Sequence, residues 1–441
     1  MHGQKALSRP SSLTRTILAL AWPAVATNVT TPLLSLVDVA VVGHIGNSVY
    51  IGAIAVGAVM FNMLYWLMGF LRMGTSGMTA QAYGAGDSAE CVRTLARAML
   101  IALLAGTLMI ALSPSLGTHI LNFIDADSAA REPARQYFSV AILGAPGLLM
   151  TYALSGWFLG MQTSRPILWM ALVANTLNII LNLAFVYGLG WDVRGVGAAT
   201  AISQWVSAAT GILLLSRRLR RITATGWRHG LLQMRALRHF FAINTDIFLR
   251  TLCLVAVTVW FTHAGATMGV DTLSANAIIM QLFILFSYLM DGFAFAGEAL
   301  AGKFHGARDT AGLHRLVRVL MRIGLAAAAL VTVIYYLCGE GIMRLLTNQQ
   351  SVLRTAADYR LWAVAVPFAG FMSFLWDGIY VGLTRTRGML LSMAAAMCVF
   401  YITWFTLSRA LGNHALWLAF ILYLLTRGLL QTHLFRLHPP H

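Results

Sequence analysis

Long apolar stretches recur along the chain from Leu13 to Leu434, and short polar or basic segments separate them. A mostly apolar stretch of about 18 residues or more can cross the hydrocarbon core of a bilayer as a helix. The pattern therefore predicts an all-α integral membrane protein with twelve transmembrane helices. The predicted spans are 14–44, 50–83, 90–113, 132–162, 165–188, 195–218, 239–265, 272–304, 313–337, 353–384, 387–409 and 413–435.

Composition supports the membrane class. Hydrophobic residues make up 59% of the 441 residues and charged residues only 10%, whereas a soluble domain carries about 25% charged residues. The first apolar run continues past Pro23 and Pro32 to Val42, which is too long for the apolar region of a signal peptide. We expect this run to be the first membrane helix. The four cysteines have no spacing typical of a disulfide framework or a metal site, and we expect no cofactor.

The net charge of +16 is explained by where the basic residues fall. If the N-terminus is cytoplasmic and the spans alternate, most Lys and Arg residues fall in inside segments, as the positive-inside rule requires. We therefore expect both termini in the cytoplasm of a bacterial inner membrane, and no nucleic-acid partner is needed. The basic segment 217–238 is interpreted as a cytoplasmic connector, with an amphipathic segment on anionic lipid as the alternative.

The two halves of the chain resemble each other at one constant offset in residue number. This spacing predicts an N-lobe of helices 1–6 in residues 1–216 and a C-lobe of helices 7–12 in residues 239–441. Since six spans separate equivalent points, the repeats are parallel, as in transporters that bind substrate near the bilayer midplane. The matching pairs, all separated by this same offset, are Gly84 and Gly306, Asp87 and Asp309, Tyr137 and Tyr359, Gly160 and Gly382, and Arg165 and Arg387.

Acidic residues inside spans are the candidate functional residues, because an ionised group at a helix centre costs at least ~2.5–3.5 kcal/mol. Asp38 has no basic residue within one helical turn. A buried carboxyl group without a counter-cation favours its neutral form, which suits a site that takes and releases a proton. The alternative is a carboxyl group hydrogen-bonded to neighbouring helices for packing.

The other four intramembrane acids fall in the second half. Asp246 precedes Arg250 by one turn, so an (i, i+4) ion pair and a functional role are both open. Asp291 and Glu298 lie on one side of the eighth helix, and Glu298 can pair locally with Lys303. Asp377 lies nearly one turn from Tyr380 in the tenth span, and this pair could bind a cation through oxygen atoms.

A polar stripe is predicted on the fifth span, where Asn175, Asn178 and Asn182 are three and four residues apart. With Thr200 of the sixth span and Tyr137 of the fourth, they form a candidate polar site next to Asp38. The alternative is interhelical packing through amide hydrogen bonds.

The chain resembles the DinF-like branch of the multidrug and toxic compound extrusion (MATE) family over nearly its whole length. The resemblance implies two six-helix lobes and export of small cationic or amphipathic compounds, driven by inward flow of H⁺ or Na⁺. The phrases that carry it include PLLSLVDVAVVGHIG, FLRMGTSGMTAQAYGAGD, NTLNIILNLAFVYGLG, INTDIFLRTL, MDGFAFAGEALAGKFHGARD and FLWDGIYVGLTRTRGM.

The resemblance also implies roles for particular residues. Asp38 matches the family's first-helix aspartate, a proton-coupling residue. Where proton-coupled relatives have a second acid in a pattern like NxxxD, this chain has Asn178 and Asn182. Asp246 and Asp377 match an acid pair that resembles a Na⁺ site in other branches, so Na⁺ coupling stays open.

A flippase and an intramembrane enzyme are the alternatives to an exporter. A lipid or glycolipid flippase of the same superfamily would need a basic cavity, whereas only Arg72 and Arg250 are assigned within spans. An intramembrane enzyme is disfavoured because the chain contains no HExxH, GxSxG or Walker motif. We expect a monomer in contact with membrane lipid, acting on small molecules.

Overall fold

The structure, a computed structural model, describes residues 10–43, 48–124, 128–219, 230–231, 233–347 and 349–437. Within α-helical segments it does not describe the side chains of residues 10–12, 29, 31–40, 42–43, 48, 51, 123–124 and 128. The described residues are almost entirely helical and contain no β-strand. The predicted all-α fold class is confirmed.

Fifteen α-helices follow one another along these residues. A short 3₁₀ segment, Ile142–Gly144, connects two of them, and a π-helical segment, Leu183–Gly188, extends another. The helices are α1 Pro10–Gly43, α2 Ser48–Leu67, α3 Phe70–Gly84, α4 Ser88–Ile124, α5 Ser128–Ala141, α6 Ala145–Gly160, α7 Arg165–Asn182, α8 Asp192–Leu219, α9 Met234–Thr267, α10 Val270–Gly306, α11 Thr310–Leu346, α12 Gln350–Asp358, α13 Arg360–Gly382, α14 Thr386–Leu411 and α15 Asn413–Leu437.

The helices agree with the twelve-span prediction. Among the described residues, eleven helical stretches are long and apolar enough to cross a membrane, and α1, at 34 residues, supplies a further span. Three predicted spans are interrupted helices. The second consists of α2 and α3, the fourth of α5, the 3₁₀ segment and α6, and the tenth of α12 and α13. Pro146 at the start of α6 lacks an N–H donor, which favours a helix start at that point.

The chain divides into two compact units. The first-half unit is Pro23–Asn244, and the second-half unit is Thr245–His441 together with Met1–Trp22. Helices α1 and α9 therefore each contribute residues to both units. Half of the basic connector predicted at 217–238, namely residues 220–229 and 232, lies outside the described ranges.

Aromatic side chains form the core of each unit. In the first-half unit, the Phe61 ring stacks on Tyr65 at 5.2 Å and on Phe138 at 5.0 Å between centroids. In the second-half unit, Phe261 packs edge-on against Trp417 at 4.9 Å. Large apolar side chains such as Leu345 and Leu337 are instead exposed. Apolar residues on both the inside and the outside are expected of helices surrounded by lipid.

The predicted repeat is present in the helix packing. Helix α6 packs on α3, α4 and α8, and the equivalent α13 packs on α10, α11 and α15. A Cβ atom added at Gly156 would collide with the carbonyl oxygen of Arg72, and one at Gly378 with that of Ala294. Both partners of the second contact follow those of the first by the offset of the sequence repeat, so the same close helix crossing is formed twice.

The same offset recurs at the turn that follows α3 and α10. Gly86 has a φ of +74° and Arg308 a φ of +56°, both in the left-handed region. The Asp87 carboxylate then accepts the Glu90 N–H at 2.8 Å, and the Asp309 carboxylate accepts the Gly312 N–H at 2.7 Å. Each aspartate caps the next helix, which accounts for the repeated Asp in the sequence.

Candidate functional site: buried polar clusters in the two halves

The second-half unit contains a buried ionic cluster centred on Asp377 of α13. The Nη2 atoms of Arg250 on α9 and Arg427 on α15 both donate to Oδ2 of Asp377, the latter over 2.6 Å. Gln431, one turn after Arg427, donates to Oδ1 over 2.7 Å. We call these four residues the Asp377 cluster. Three helices that are far apart in sequence are joined at one carboxylate.

Burial makes the cluster electrostatically strong. The side chains of Asp377 and Arg427 are only 8% and 3% exposed, and that of Arg250 is 12% exposed. The Arg427 guanidinium lies 5.3 Å from the centre of the Tyr423 ring, and Nη1 donates to the Tyr423 hydroxyl over 3.4 Å. One carboxylate and two guanidinium groups carry a net charge of +1 in a site of low polarity.

Asp246 does not form the (i, i+4) ion pair with Arg250 that is one of the two alternatives from the sequence. No ion pair within 4.0 Å joins Asp246 to Arg250 among the described residues, because Arg250 reaches Asp377 instead. Asp246 accepts a hydrogen bond from Oγ1 of Thr386, at the start of α14, over 2.8 Å. The two acids that match the family's acid pair thus have different partners.

The other candidates of the second half form no hydrogen bond or ion pair with the Asp377 carboxylate among the described residues. The Tyr380 hydroxyl donates to the backbone carbonyl of Gln431 over 2.8 Å, so it braces α13 against α15. Glu298 is buried on α10, and Asp291 is half-buried on the same helix. The described hydrogen bonds of Asp377 go to α9 and α15 only.

In the first-half unit, two of the three asparagines of the predicted stripe are hydrogen-bonded to each other. Asn182 donates from Nδ2 to Oδ1 of Asn178 over 2.9 Å, and Asn178 donates to Oγ1 of Thr200 over 3.4 Å. The chain of bonds links α7 to α8, and both amides are buried. Asn175 is half-buried and takes no part in these hydrogen bonds. Tyr137 lies in the aromatic core, where its ring packs edge-on against Phe61 at 5.7 Å.

Asp38 lies within α1, but its side chain is outside the described residues. One turn later, the backbone carbonyl of Val41 accepts a hydrogen bond from the Tyr187 hydroxyl over 2.7 Å. Tyr187 belongs to the π-helical segment that follows Asn182. The helix that carries Asp38 is therefore held against the helix that carries the amides.

Sequence reasoning missed Arg427 and Gln431. The interpretation that only Arg72 and Arg250 lie within spans is corrected, since Arg427 lies inside α15 and is buried. The signal was a single arginine in the apolar run FILYLLTRGLL, which resembles the basic end of a helix. A second buried arginine, Arg97 on α4, pairs with Glu90 at 2.6 Å and donates to the carbonyl oxygens of Leu231 and Gly230.

Comparison with known proteins identifies the family. A family model described as MatE matches residues 23–184 and again residues 245–405, and the starts of the two segments differ by the offset of the sequence repeat. DNA damage-inducible protein F of Escherichia coli (strain K12) is 39% identical over 425 residues, which are 95% of this chain and 91% of that protein.

The chain belongs to the MATE family.

Further relatives agree with this assignment. A probable multidrug resistance protein NorM of Bradyrhizobium diazoefficiens is 26% identical over 426 residues, covering 91% of this chain and 89% of that protein. The solved structure of the Vibrio cholerae MATE transporter VcmN in the bent form has a TM-score of 0.88 at 17% identity. That match covers 97% of this chain and 98% of the other. The fold is thus the MATE transporter fold.

Membership of the MATE family establishes the general function of the protein. The protein is a multi-pass membrane transporter for efflux of small drugs or toxic compounds, and it is not an enzyme. The family model matches each half of the chain once, as expected for a protein built from two repeats.

Proposed function

We propose that this MATE transporter is an antiporter that exports cationic or amphipathic compounds in exchange for inward H⁺, with Asp38 as the proton carrier. Transport follows alternating access. A proton from the outside neutralises Asp38, changes helix packing in the first-half unit and releases the substrate. One-for-one exchange of H⁺ for a monovalent cation moves no net charge and is driven by the pH gradient alone, whereas exchange for a neutral compound also gains ~2.3 kcal/mol per 100 mV of membrane potential.

The observation that carries this proposal is the pairing of Asp377 with two arginines. A Na⁺ site in the second half would need carboxylate oxygens free to ligate the ion. Both Asp377 oxygens instead accept charge-assisted or amide hydrogen bonds from Arg250, Arg427 and Gln431. A cation approaching this carboxylate would meet two fixed positive charges, so the Asp377 cluster disfavours Na⁺.

The first-half unit offers what a proton site needs. Asn178, Asn182 and Thr200 supply neutral polar groups that are hydrogen-bonded to one another. The Tyr187 bond to Val41 couples the position of α1, one turn from Asp38, to the segment after these amides. Because Tyr187 lies in the segment that follows α7, its hydrogen bond to the Val41 carbonyl is a direct contact through which a change in the protonation of Asp38 can be transmitted to α7. The basic residues at the predicted cytoplasmic ends support an orientation with both termini inside.

The test is drug-dependent ion movement in proteoliposomes. Wild type, Asp38→Asn and Asp246→Asn are compared under an imposed proton gradient, with and without Na⁺, using ethidium as the transported cation. We expect wild type and Asp246→Asn to exchange protons for ethidium without Na⁺, and Asp38→Asn to lose this exchange.

Transport that requires Na⁺ and survives in Asp38→Asn would overturn the proposal and assign coupling to the second half. A chain that moves no drug with either ion would contradict drug export itself. Lipid scrambling measured in the same vesicles would then identify a flippase.

A further inference from the structure

The Asp377 cluster contains one more positive charge than a structural ion pair needs. A buried pair is cheapest when it is neutral, because an uncompensated charge keeps its full desolvation cost. Here Arg250 alone would neutralise Asp377, yet Arg427 also binds the same oxygen and is almost fully buried. The next acid along α9, Asp246, is bonded to Thr386 and forms no ion pair with either guanidinium group among the described residues.

Besides its excess positive charge, the cluster has hydrogen-bond donors without an acceptor among the described residues. The two guanidinium groups reach Asp377 through their Nη2 atoms. Their Nε atoms are buried, and neither has a hydrogen-bond partner among the described residues. Buried guanidinium N–H groups are normally bonded, and they prefer the planar oxyanions of carboxylates and related groups. Charge and donors therefore both point to an anionic ligand.

The position of the cluster agrees with a ligand that comes from the membrane. Arg250 lies at the middle of α9, and Arg427 lies close to the middle of α15. Intramembrane charges at such depth mark substrate or ion paths in transporters. Arg250, with a side chain 12% exposed, is the most accessible of the three charged groups of the cluster. A ligand at this depth needs an apolar body together with its anionic group.

We propose that Arg250 and Arg427 of the Asp377 cluster bind the oxyanion of an amphipathic monoanion, such as a carboxylate or sulfonate on an apolar body. The ligand class deepens the proposed export function and rests on it for physiological meaning. Asp377 holds the two guanidinium groups in place and limits the affinity, because its carboxylate competes with the ligand for the same positive charge. The site therefore gives the second-half unit a preference for anionic or zwitterionic amphiphiles.

The experiment measures binding without any ion gradient, so it is independent of the coupling mechanism. Full-length protein in phosphatidylcholine nanodiscs is titrated with three probes that share one apolar body: pyrenebutyrate, pyrenebutanol and pyrenebutyltrimethylammonium. We expect wild type to bind pyrenebutyrate about tenfold more tightly than pyrenebutanol. Arg427→Gln should lose this difference.

Asp377→Asn gives the decisive opposite change. It removes the competing carboxylate, so the affinity for pyrenebutyrate should rise several-fold, a result that a damaged fold would not produce. Arg344→Gln removes an exposed arginine of the same unit and should bind all three probes as wild type does.

Equal binding of pyrenebutyrate and pyrenebutanol by wild type would overturn the proposal. So would weaker pyrenebutyrate binding by an Asp377→Asn protein that still binds pyrenebutanol as wild type does and is therefore folded. Addition of phosphatidylglycerol to the nanodiscs identifies the source of the natural anion. Displacement of pyrenebutyrate assigns the site to a lipid phosphate, and lack of displacement assigns it to a transported amphiphile. Failed proton exchange with intact anion binding would refute the proposed coupling and leave this site standing.

Discussion

The guanidinium of Arg427 and the carboxylate of Asp377 are joined over 2.6 Å, although the two residues are 50 positions apart and lie on different helices. The same carboxylate oxygen accepts a hydrogen bond from Arg250. This arrangement makes the acid of α13 part of a positively charged site. The two proposals accordingly assign proton coupling to the first half and ligand recognition to the second.

The Asp377 cluster has one carboxylate and two guanidinium groups, so loss of the carboxylate should destabilise the protein more than loss of one guanidinium group. Asp377→Asn leaves two buried guanidinium groups without a counter-charge and should cost about 3–5 kcal/mol of unfolding free energy. Arg427→Met leaves the neutral pair of Asp377 and Arg250 and should cost less. The midpoint of thermal unfolding in a nonionic detergent measures both. Arg344→Met, which breaks an exposed pair with Glu340, should change stability by no more than about 1 kcal/mol. A larger loss for Arg427→Met than for Asp377→Asn would contradict this account of the cluster.

The repeated helix crossing predicts equal sensitivity in the two halves. Gly156→Ala and Gly378→Ala each place a methyl group against a backbone carbonyl of the crossing helix. Helix backbones cannot give way as side chains can, so each change should cost about 1–3 kcal/mol. Folded yield and thermal stability of the two variants are the measurements. Gly341→Ala on α11 is the control, because a Cβ there meets no atom within 4 Å, and the change should be neutral or slightly stabilising. Two well-folded crossing variants would show that the helices can separate without penalty.

The amide chain of the first half predicts a distinction between two asparagines on one helix. Asn178→Leu removes the partner of both Asn182 and Thr200, so it should cost about 1–3 kcal/mol and lower proton-driven efflux. Asn175 takes no part in these hydrogen bonds, so Asn175→Leu should leave both stability and efflux near wild type. Stability and efflux are compared in the same preparations. Equal effects of the two changes would mean that the stripe acts as a whole rather than through the bonded pair.

A pair of amides near the starts of α10 and α15 predicts a strong energetic coupling. The Asn276 and Asn413 side chains exchange hydrogen bonds of 2.7 and 2.8 Å, and Trp417 Nε1 also donates to Asn276. Asn413→Leu should cost about 1–3 kcal/mol because it leaves buried amide groups unpaired. Asn276→Leu should cost more, since it also leaves the indole N–H unpaired.

A double-mutant cycle on this pair gives the test. The double variant Asn276→Leu/Asn413→Leu should be more stable than the sum of the single losses predicts, because fewer buried polar groups stay unpaired. Additive losses would show that the two amides act independently in spite of their contact.

The sequence by itself determined the membrane class, the helical spans and the repeat. Apolar length and charge position are local properties, and a bilayer allows few backbone structures other than helices to satisfy such stretches. The constant offset between the halves was also visible, because turns and helix crossings need Gly and Asp at particular positions, as at Gly160 and Gly382. The breaks inside the second and fourth spans were not visible, because an apolar helical stretch continues across each of them. In the tenth span the apolar stretch begins only at Arg360, after the break.

Only the tertiary structure decided which charges meet. Spacing along α9 left an ion pair between Asp246 and Arg250 as one of two alternatives, but helix packing brings Asp377 to that guanidinium and adds Arg427 from α15. Contacts between helices depend on their rotation and tilt, which hydropathy does not encode. A lone arginine in an apolar run looks alike whether it ends a helix or lies buried in it. The charge of the second-half site therefore follows from packing, whereas the existence of the helices that form it follows from the order of apolar residues.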